Sequence, residues 1–416
     1  MSNAGQDIVI IGYDMITPLG WKLDEQWEAF SSGKSGVDWI NRFDAASDEV
    51  TVSGEAPKLD LASFDFFSER DESNWFSPVI FHSMLVAKRA VEHAGITITD
   101  ENASRVGTTF SSAIGGLDAM IKAEKRVSEG KLPHPFTNPN GCLNLVSGKV
   151  SILTGAKGPI FSPVAACATG AASVTSAALL LRAGMADMVI AGACDFPVIR
   201  SLLASFASMN GAFRRAKPSD RAATDPSKVS RPFSIDRKGF VVSEGAAALI
   251  VTTRRYADEH GLPIRAVIRG FGMTSDAKHY VAPSLSTIEM CIHNALDSAG
   301  VGPEAIEVIN AHAASTSMGD GIEVAAISDI FARNAPPVTA NKSQIGHTMG
   351  ASSGIELILT IEGMRRHTIL PTINYEPDPK LASLDISASA RTKEHHLVLS
   401  NSFGFGGCNV CLIVNA

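Results

Sequence analysis

The chain has 416 residues, 45% of them hydrophobic, and 36 Lys and Arg against 43 Asp and Glu leave a formal net charge of −7 at pH 7. That is enough apolar chain for a large buried core, either two ordinary domains or one large duplicated one. The acidic balance offers no electrostatic footprint for nucleic acid, and no apolar run approaches the roughly 18 residues of a membrane span.

In chain order, short apolar runs alternate with longer helix-like stretches, the pattern of an α/β protein. Ile8-Val9-Ile10-Ile11 comes first, and the start ahead of it has no basic region leading into an apolar one, so the expected location is cytoplasmic. A helix is expected over 79–93, then another over 171–183, with the apolar runs Met188-Val189-Ile190-Ala191 and Ala248-Leu249-Ile250-Val251 after it. Helices over 285–299 and 354–366 flank Val308-Ile309, and Leu397-Val398-Leu399 precedes the apolar ending. Gly95, Gly184 and Gly300 stand where helix C-caps are expected. The polar stretch 214–228, with Arg214, Arg215, Lys217 and Arg221, reads as a surface loop.

Six cysteines are scattered through the chain with no secretory signal, which speaks against a disulfide framework. Cys408-Asn409-Val410-Cys411 is a C-x-x-C inside an apolar run that reads as a buried strand. Its two sulfurs would then point to opposite faces, and packing rather than metal or redox chemistry is expected.

Cys167 differs from the rest. An extended segment, 159–164, leads into Ala165-Ala166-Cys167-Ala168-Thr169-Gly170, and small residues continue into a helix-like run. The sulfur is then expected near a helix N-terminus, where the peptide dipoles favour thiolate and free N–H groups hold an oxyanion. A core cysteine beside a helix cap fits the same pattern. His312, in Asn310-Ala311-His312-Ala313-Ala314-Ser315-Thr316, and His347, in Lys342-Ser343-Gln344-Ile345-Gly346-His347, each lie in a turn of small residues. Either is open to a structural reading, but both are placed to reach one cleft with the thiol. Lys342 would help keep His347 neutral as a hydrogen-bond donor, unless it is a solvated lysine.

Ordered motifs across nearly the whole chain extend this. They include Ile10-Ile11-Gly12 through Thr17-Pro18-Leu19-Gly20, Ile114-Gly115-Gly116-Leu117, the Cys167 turn, Arg231-Pro232-Phe233-Ser234-Ile235-Asp236, Gly319-Asp320, Asn341-Lys342-Ser343, and Asn401-Ser402-Phe403-Gly404-Phe405-Gly406-Gly407. In these the chain resembles the β-ketoacyl-acyl-carrier-protein synthases, condensing enzymes of fatty-acid and polyketide synthesis. The resemblance implies a thiolase-like fold, with duplicated βαβαβαββ halves in a five-layered α-β-α-β-α arrangement. The first half, 1–256, would carry Cys167, and the second, 257–416, His312 and His347.

It also implies roles. Cys167 would take an acyl group from a carrier-protein thioester, and His312 and His347 would stabilise the enolate left when malonyl-carrier protein loses carbon dioxide. The N–H groups of Cys167 and Phe405 would hold the second oxyanion. Lys342 and Glu356 would support His347, and Asp320 and Glu323 would order the loop after His312. Phe405 would gate the cleft, Phe403 and Phe233 would line it, Thr316 would bind the pantetheine arm, and Ile114 would face the acyl chain. No resident cofactor or metal is implied, since the phosphopantetheine belongs to the acyl carrier protein. The partners implied are that carrier, acyl and malonyl thioesters, and a second copy in a homodimer, or a related chain in a heterodimer.

Three departures qualify the resemblance. Ala313-Ala314 stands where the family reads Gly-Thr, Ala165-Ala166 where it reads Thr-Ala, and 68–76 is mostly acidic or aromatic where the family has basic residues. Lys122, Lys125 and Arg126, with Arg214, Arg215 and Lys217, offer a substitute patch for an acidic carrier, and an ordinary solvated surface is the other reading of them. Together these suggest a specialised pathway. A chain-length partner subunit without a nucleophile is the rival reading, and Cys167 with both histidines argues against it. A thiolase acting on coenzyme A would use a second cysteine in place of His347, and nothing favours a cysteine hydrolase.

Overall fold

Each apolar run named above becomes part of a strand. The structure, a computed structural model, describes residues 7–60, 63–214 and 225–416, so Arg215, Lys217 and Arg221 lie outside the described residues. The first succession is β1 (Ile8–Ile16), α1 (Pro78–His93), β2 (Val106–Ser111), α2 (Asn144–Thr154), β3 (Ile160–Phe161), α3 (Thr169–Arg182), β4 (Met188–Asp195) and β5 (Gly245–Thr253). The second is β6 (Ala266–Ser275), α4 (Leu285–Ala299), β7 (Val308–Asn310), α5 (Ser317–Phe331), β8 (Val338–Thr339), α6 (Ser352–Arg365), β9 (Leu397–Gly404) and β10 (Cys408–Asn415). Further elements, among them the helix Leu117–Ser128, fill the connections.

Both successions read βαβαβαββ, and their strand orders correspond, β3-β2-β4-β5-β1 and β8-β7-β9-β10-β6. The inner pairs β2–β3, β2–β4, β7–β8 and β7–β9 are parallel, while β4–β5, β5–β1, β9–β10 and β10–β6 are antiparallel. The halves join edge to edge through antiparallel β1 and β6, with Val9 opposite Val267.

The layering follows from side-chain alternation along the strands. On β5, Ala247, Leu249 and Val251 pack with α3 and α6, whereas Ala246, Ala248 and Ile250 pack with α1 and α2. On the second half, Ile413 and Leu399 pack with α4 and α5, while Val398 and Leu412 face the central helices. The result is helices, sheet, helices, sheet, helices, the thiolase-like arrangement. α6 is buried from Ser352 to Met364, as a helix covered on all sides must be. Cys408 and Cys411 lie in β10, with Cys411 buried and Cys408 half-buried.

The central helices begin two residues earlier than the sequence suggested, at Thr169 and Ser352 rather than 171 and 354. Gly170, one of the small residues leading into the first of them, and Ser353 on the second lie where the two helices cross. A Cβ on Gly170 would lie 2.6 Å from the backbone nitrogen of Gly354, so no larger residue fits. Gly170→Ala is therefore expected to lose about 1–3 kcal/mol of stability from overpacking, read as a lower midpoint in chemical denaturation.

Candidate active site

Cys167 sits in a single 3-10 turn, Ala166–Ala168, at the head of α3. Ala166 has φ +47, a left-handed backbone that alanine keeps only when its surroundings enforce it. Thr169 does so, its hydroxyl donating to the Ala166 carbonyl at 2.6 Å and accepting the Ala165 N–H at 3.1 Å. The end of β9 runs against this turn, so close that a Cβ on Gly404 would be 2.4 Å from the Ala165 carbonyl oxygen. That approach delivers the next peptide to the sulfur, and the N–H groups of Phe405 and of Cys167 itself oppose the rise of the thiol's pKa.

The thiolate expected from the helix dipole is not the resting form. Burial pushes the Cys167 thiol up to about 11, against the opposing pull of Lys342 and the two N–H groups. A helix terminus contributes about 0.3–1 kcal/mol, too little to offset full desolvation of the sulfur.

His312 follows β7, and Glu323 of α5 fixes its main chain by accepting the N–H groups of His312 at 2.9 Å and Ala313 at 2.7 Å. Asn401 on β9 donates to the same carboxylate at 3.1 Å. Asp320, one turn earlier, accepts from the N–H groups of Thr316 at 3.0 Å and Phe233 at 2.8 Å. His347 is held through its backbone, its N–H donating to Val241 at 2.7 Å and its carbonyl accepting from Ser243 at 2.9 Å. The Phe240 ring packs against its imidazole in a T-shaped contact with centroids 5.7 Å apart.

The two imidazoles stand 5.6 Å apart and almost perpendicular. Both pKa values lie well below the usual histidine range, through burial first and the Lys342 charge second. Each ring is therefore neutral and carries one N–H. Lys342 and Glu356 form a buried ion pair at 2.5 Å, and the Lys342 ammonium also donates to the His312 carbonyl at 2.6 Å. The direct support expected for His347 thus goes to His312 instead. The one-turn helix Lys342–Ile345 ends at Gly346, φ +69, and the chain changes direction before His347, which feels Lys342 only as a charge.

Cys167, His312 and His347 all open onto one cavity of about 670 Å³, within the range that ligand sites occupy. Ile114, Thr316, Phe403 and Phe405 line it as well. Phe233 does not. Its backbone turns at φ +64, its N–H goes to Asp320, and its ring packs in the core with α4 and α5. Phe206 and Phe240, in T-shaped contact at 5.3 Å, take up the wall instead. Thr316 also caps α5, its hydroxyl accepting the Gly319 N–H at 3.2 Å, while Ala314 leaves an apolar wall beside it.

Sequence reasoning missed two groups. Asp195, fully buried at the end of β4, accepts from the Ser112 hydroxyl, from the N–H groups of Ala113 and Ile114 at 3.0 and 2.9 Å, and from Gly350 at 2.8 Å. One carboxylate so ties the Ile114 turn to the turn ahead of α6. A lone acid closing an apolar strand was its only sequence signal. The second group is Ser352, 2.9 Å from the Nδ1 of His347. Its signal was a Ser-Ser pair opening an apolar helical run, a helix-start signature. Of the basic patch, Lys122, Lys125 and Arg126 are exposed on the helix Leu117–Ser128, with Lys122 paired to Asp118 at 2.9 Å. In the acidic stretch, which holds the short helix Glu69–Asn74, the side chains of Glu69, Asp71 and Glu72 lie outside the described residues.

Comparison with known proteins agrees with this architecture. The family model for the N-terminal domain of beta-ketoacyl synthase matches residues 5–257, and that for its C-terminal domain matches 265–376. The chain is 35% identical to a 3-oxoacyl-[acyl-carrier-protein] synthase 2 of Coxiella burnetii, over 98% of each chain. It is 33% identical to the protein of that name from Staphylococcus aureus strain N315, over 98% of this chain and 97% of the other. Among solved structures, a beta-ketoacyl synthase from Burkholderia phymatum STM815 superposes with a TM-score of 0.89 at 28% identity, covering 98% of this chain and 99% of that one. The ishigamide ketosynthase/chain length factor superposes at 0.88 and 28% identity, covering 99% of both. With both domain models matched in order on a doubled fold whose halves meet at one thiol and two neutral imidazoles, the chain belongs to the β-ketoacyl synthase family.

Proposed function

We propose that the protein is a β-ketoacyl-acyl-carrier-protein synthase in which Cys167 carries the acyl chain and His312 and His347 drive the decarboxylation. The observation that supports this most is the convergence of the thiol and two neutral rings on one cavity, with the Phe405 and Cys167 N–H groups directed at the sulfur.

In the first half-reaction the Cys167 thiol exchanges with an acyl-carrier thioester, forming acyl-Cys167 while the carrier leaves as its thiol. Sulfur suits both steps, being nucleophile on entry and leaving group on exit. Malonyl-carrier protein then breaks its bond to the carboxylate and releases carbon dioxide, and the electron pair forms an enolate whose oxygen accepts from the His312 and His347 N–H groups. The enolate carbon attacks the acyl-Cys167 carbonyl. The oxyanion so formed takes the Phe405 and Cys167 N–H donors, and its collapse expels the Cys167 sulfur and leaves a β-ketoacyl thioester two carbons longer. Loss of one oxyanion donor typically costs about 3–4 kcal/mol of barrier.

Lys342, Glu356, Glu323 and Asp320 touch none of the reacting atoms and serve to hold the histidine main chain and its charge environment. No resident cofactor enters the scheme, since the pantetheine arm arrives with the carrier. The carrier itself, and a location in the cytoplasm, are part of this reading. Among the described residues no helix is long and apolar enough to cross a membrane.

A second copy of the chain is the partner we propose for the open edge of the sheet. β3 is the terminal strand, and Ile160 and Phe161 are about half exposed, as is Val164 beyond them, while Ile152 on the neighbouring α2 is 69% exposed. An unpaired edge bearing large apolar side chains is an aggregation hazard unless another chain covers it.

Three outcomes are expected. Cys167→Gln should lose condensation while still releasing carbon dioxide from malonyl-carrier protein, read by intact-protein mass spectrometry and gas release; Cys167→Ala condensing at the parent rate would refute the assignment. Because the thiol sits near 11, alkylation of Cys167 by iodoacetamide should rise about tenfold per pH unit from 7 to 10 with no plateau near 8.5. Phe161→Asp should convert a dimer of the 43.8 kDa chain to monomer in sedimentation velocity, and a parent already monomeric would rule out the second copy.

A further inference from the structure

The two histidines are held in different ways. His312 Nδ1 is buried with no hydrogen-bond partner among the described residues, whereas His347 Nδ1 lies 2.9 Å from the Ser352 hydroxyl. Ser352 opens α6, is 2% exposed, and its oxygen is also 3.0 Å from the Thr348 hydroxyl. Thr348 is wholly buried, and Ser352 is its hydroxyl's only hydrogen-bond partner among the described residues.

Protons can run along this chain in two directions. If Nδ1–H donates to Ser352, one hydroxyl proton, that of Thr348 or that of Ser352, is left without an acceptor in a buried place. If Thr348 donates to Ser352 and Ser352 to Nδ1, every hydroxyl proton is used and the imidazole proton sits on Nε2. An unmade buried donor costs about 1–3 kcal/mol, so the second direction prevails. Nδ1 is taken up by Ser352, which leaves Nε2 as the ring nitrogen for the cavity that His347 lines.

Resting on the function proposed above, we infer that Ser352, with Thr348 behind it, is a positioning residue that keeps the His347 proton on Nε2 and aims it at the malonyl thioester oxygen. His312 has no such partner. Its tautomer is set only by the cost of burying an unpaired N–H, so His347 is the fixed donor of the pair and His312 the adjustable one.

The test uses the full-length protein, ¹⁵N-histidine labelling, and the variants Ser352→Ala and Thr348→Val, each of which removes a hydroxyl with little change in shape. The parent spectrum should give His347 as the Nε2–H tautomer, assigned by the signals missing from His347→Gln. For Ser352→Ala, kcat of malonyl-carrier decarboxylation should fall about five- to tenfold with KM little changed, the size of one neutral hydrogen bond. Thr348→Val should move the same way by about twofold. The rate of Cys167 acylation by an acyl thioester is the internal reference.

An Nδ1–H tautomer in the parent would overturn the inference, as would decarboxylation by Ser352→Ala at the parent rate. So would an equal slowing of acylation and decarboxylation, which would mark a general loosening. A parent that never decarboxylates malonyl thioester would remove the proposed function instead, and the tautomer of His347 would still decide the role of Ser352.

Discussion

The site depends on one close contact, the crossing of α3 and α6 at Gly170 and Gly354. Each is the third helix of its half, and the doubled topology places both in the middle layer with their N-termini at the same point. Backbone can approach backbone there only because neither residue carries a Cβ. Ser353 reinforces the crossing from α6, its hydroxyl accepting the Ala171 N–H at 2.9 Å. Cys167 lies in the turn that leads into the first helix and His347 five residues ahead of the second, so the apposition of the helices also brings the thiol and the imidazole together.

The same duplication explains the remaining members. The turn after β2 carries Ile114, and its counterpart after β7 carries His312; the end of β4 carries Asp195, and its counterpart β9 ends at Phe403 and Gly404. One half therefore supplies the Cys167 thiol and the Asp195 clamp, and the other supplies both histidines and the peptide that covers the sulfur.

Charge is what makes that pocket reactive rather than merely enclosed. Lys342 is buried, yet its ion pair with Glu356 and its bond to the His312 carbonyl compensate the loss of water. Its field disfavours a second cation, which keeps both imidazoles neutral, and favours an anion on Cys167 once the proton departs. Burial opposes that anion, so the thiol rests protonated.

Much of this could be read from the chain alone. The apolar runs located the strands, the alternation with helical stretches gave the α/β class, and Cys167, His312 and His347, each open to a structural reading alone, stood out through the family motifs around them. Local chemistry is encoded locally, in residue type and in the spacing that sets helix or strand. What needed tertiary structure was each property that depends on distant neighbours: the thiol form of Cys167, the partner chosen by Lys342, the inward turn of Phe233, and the hydroxyls of Ser352 and Thr348 behind His347. Desolvation and hydrogen-bond direction are set by what packs against a group from elsewhere in the chain, and no window of sequence contains that information.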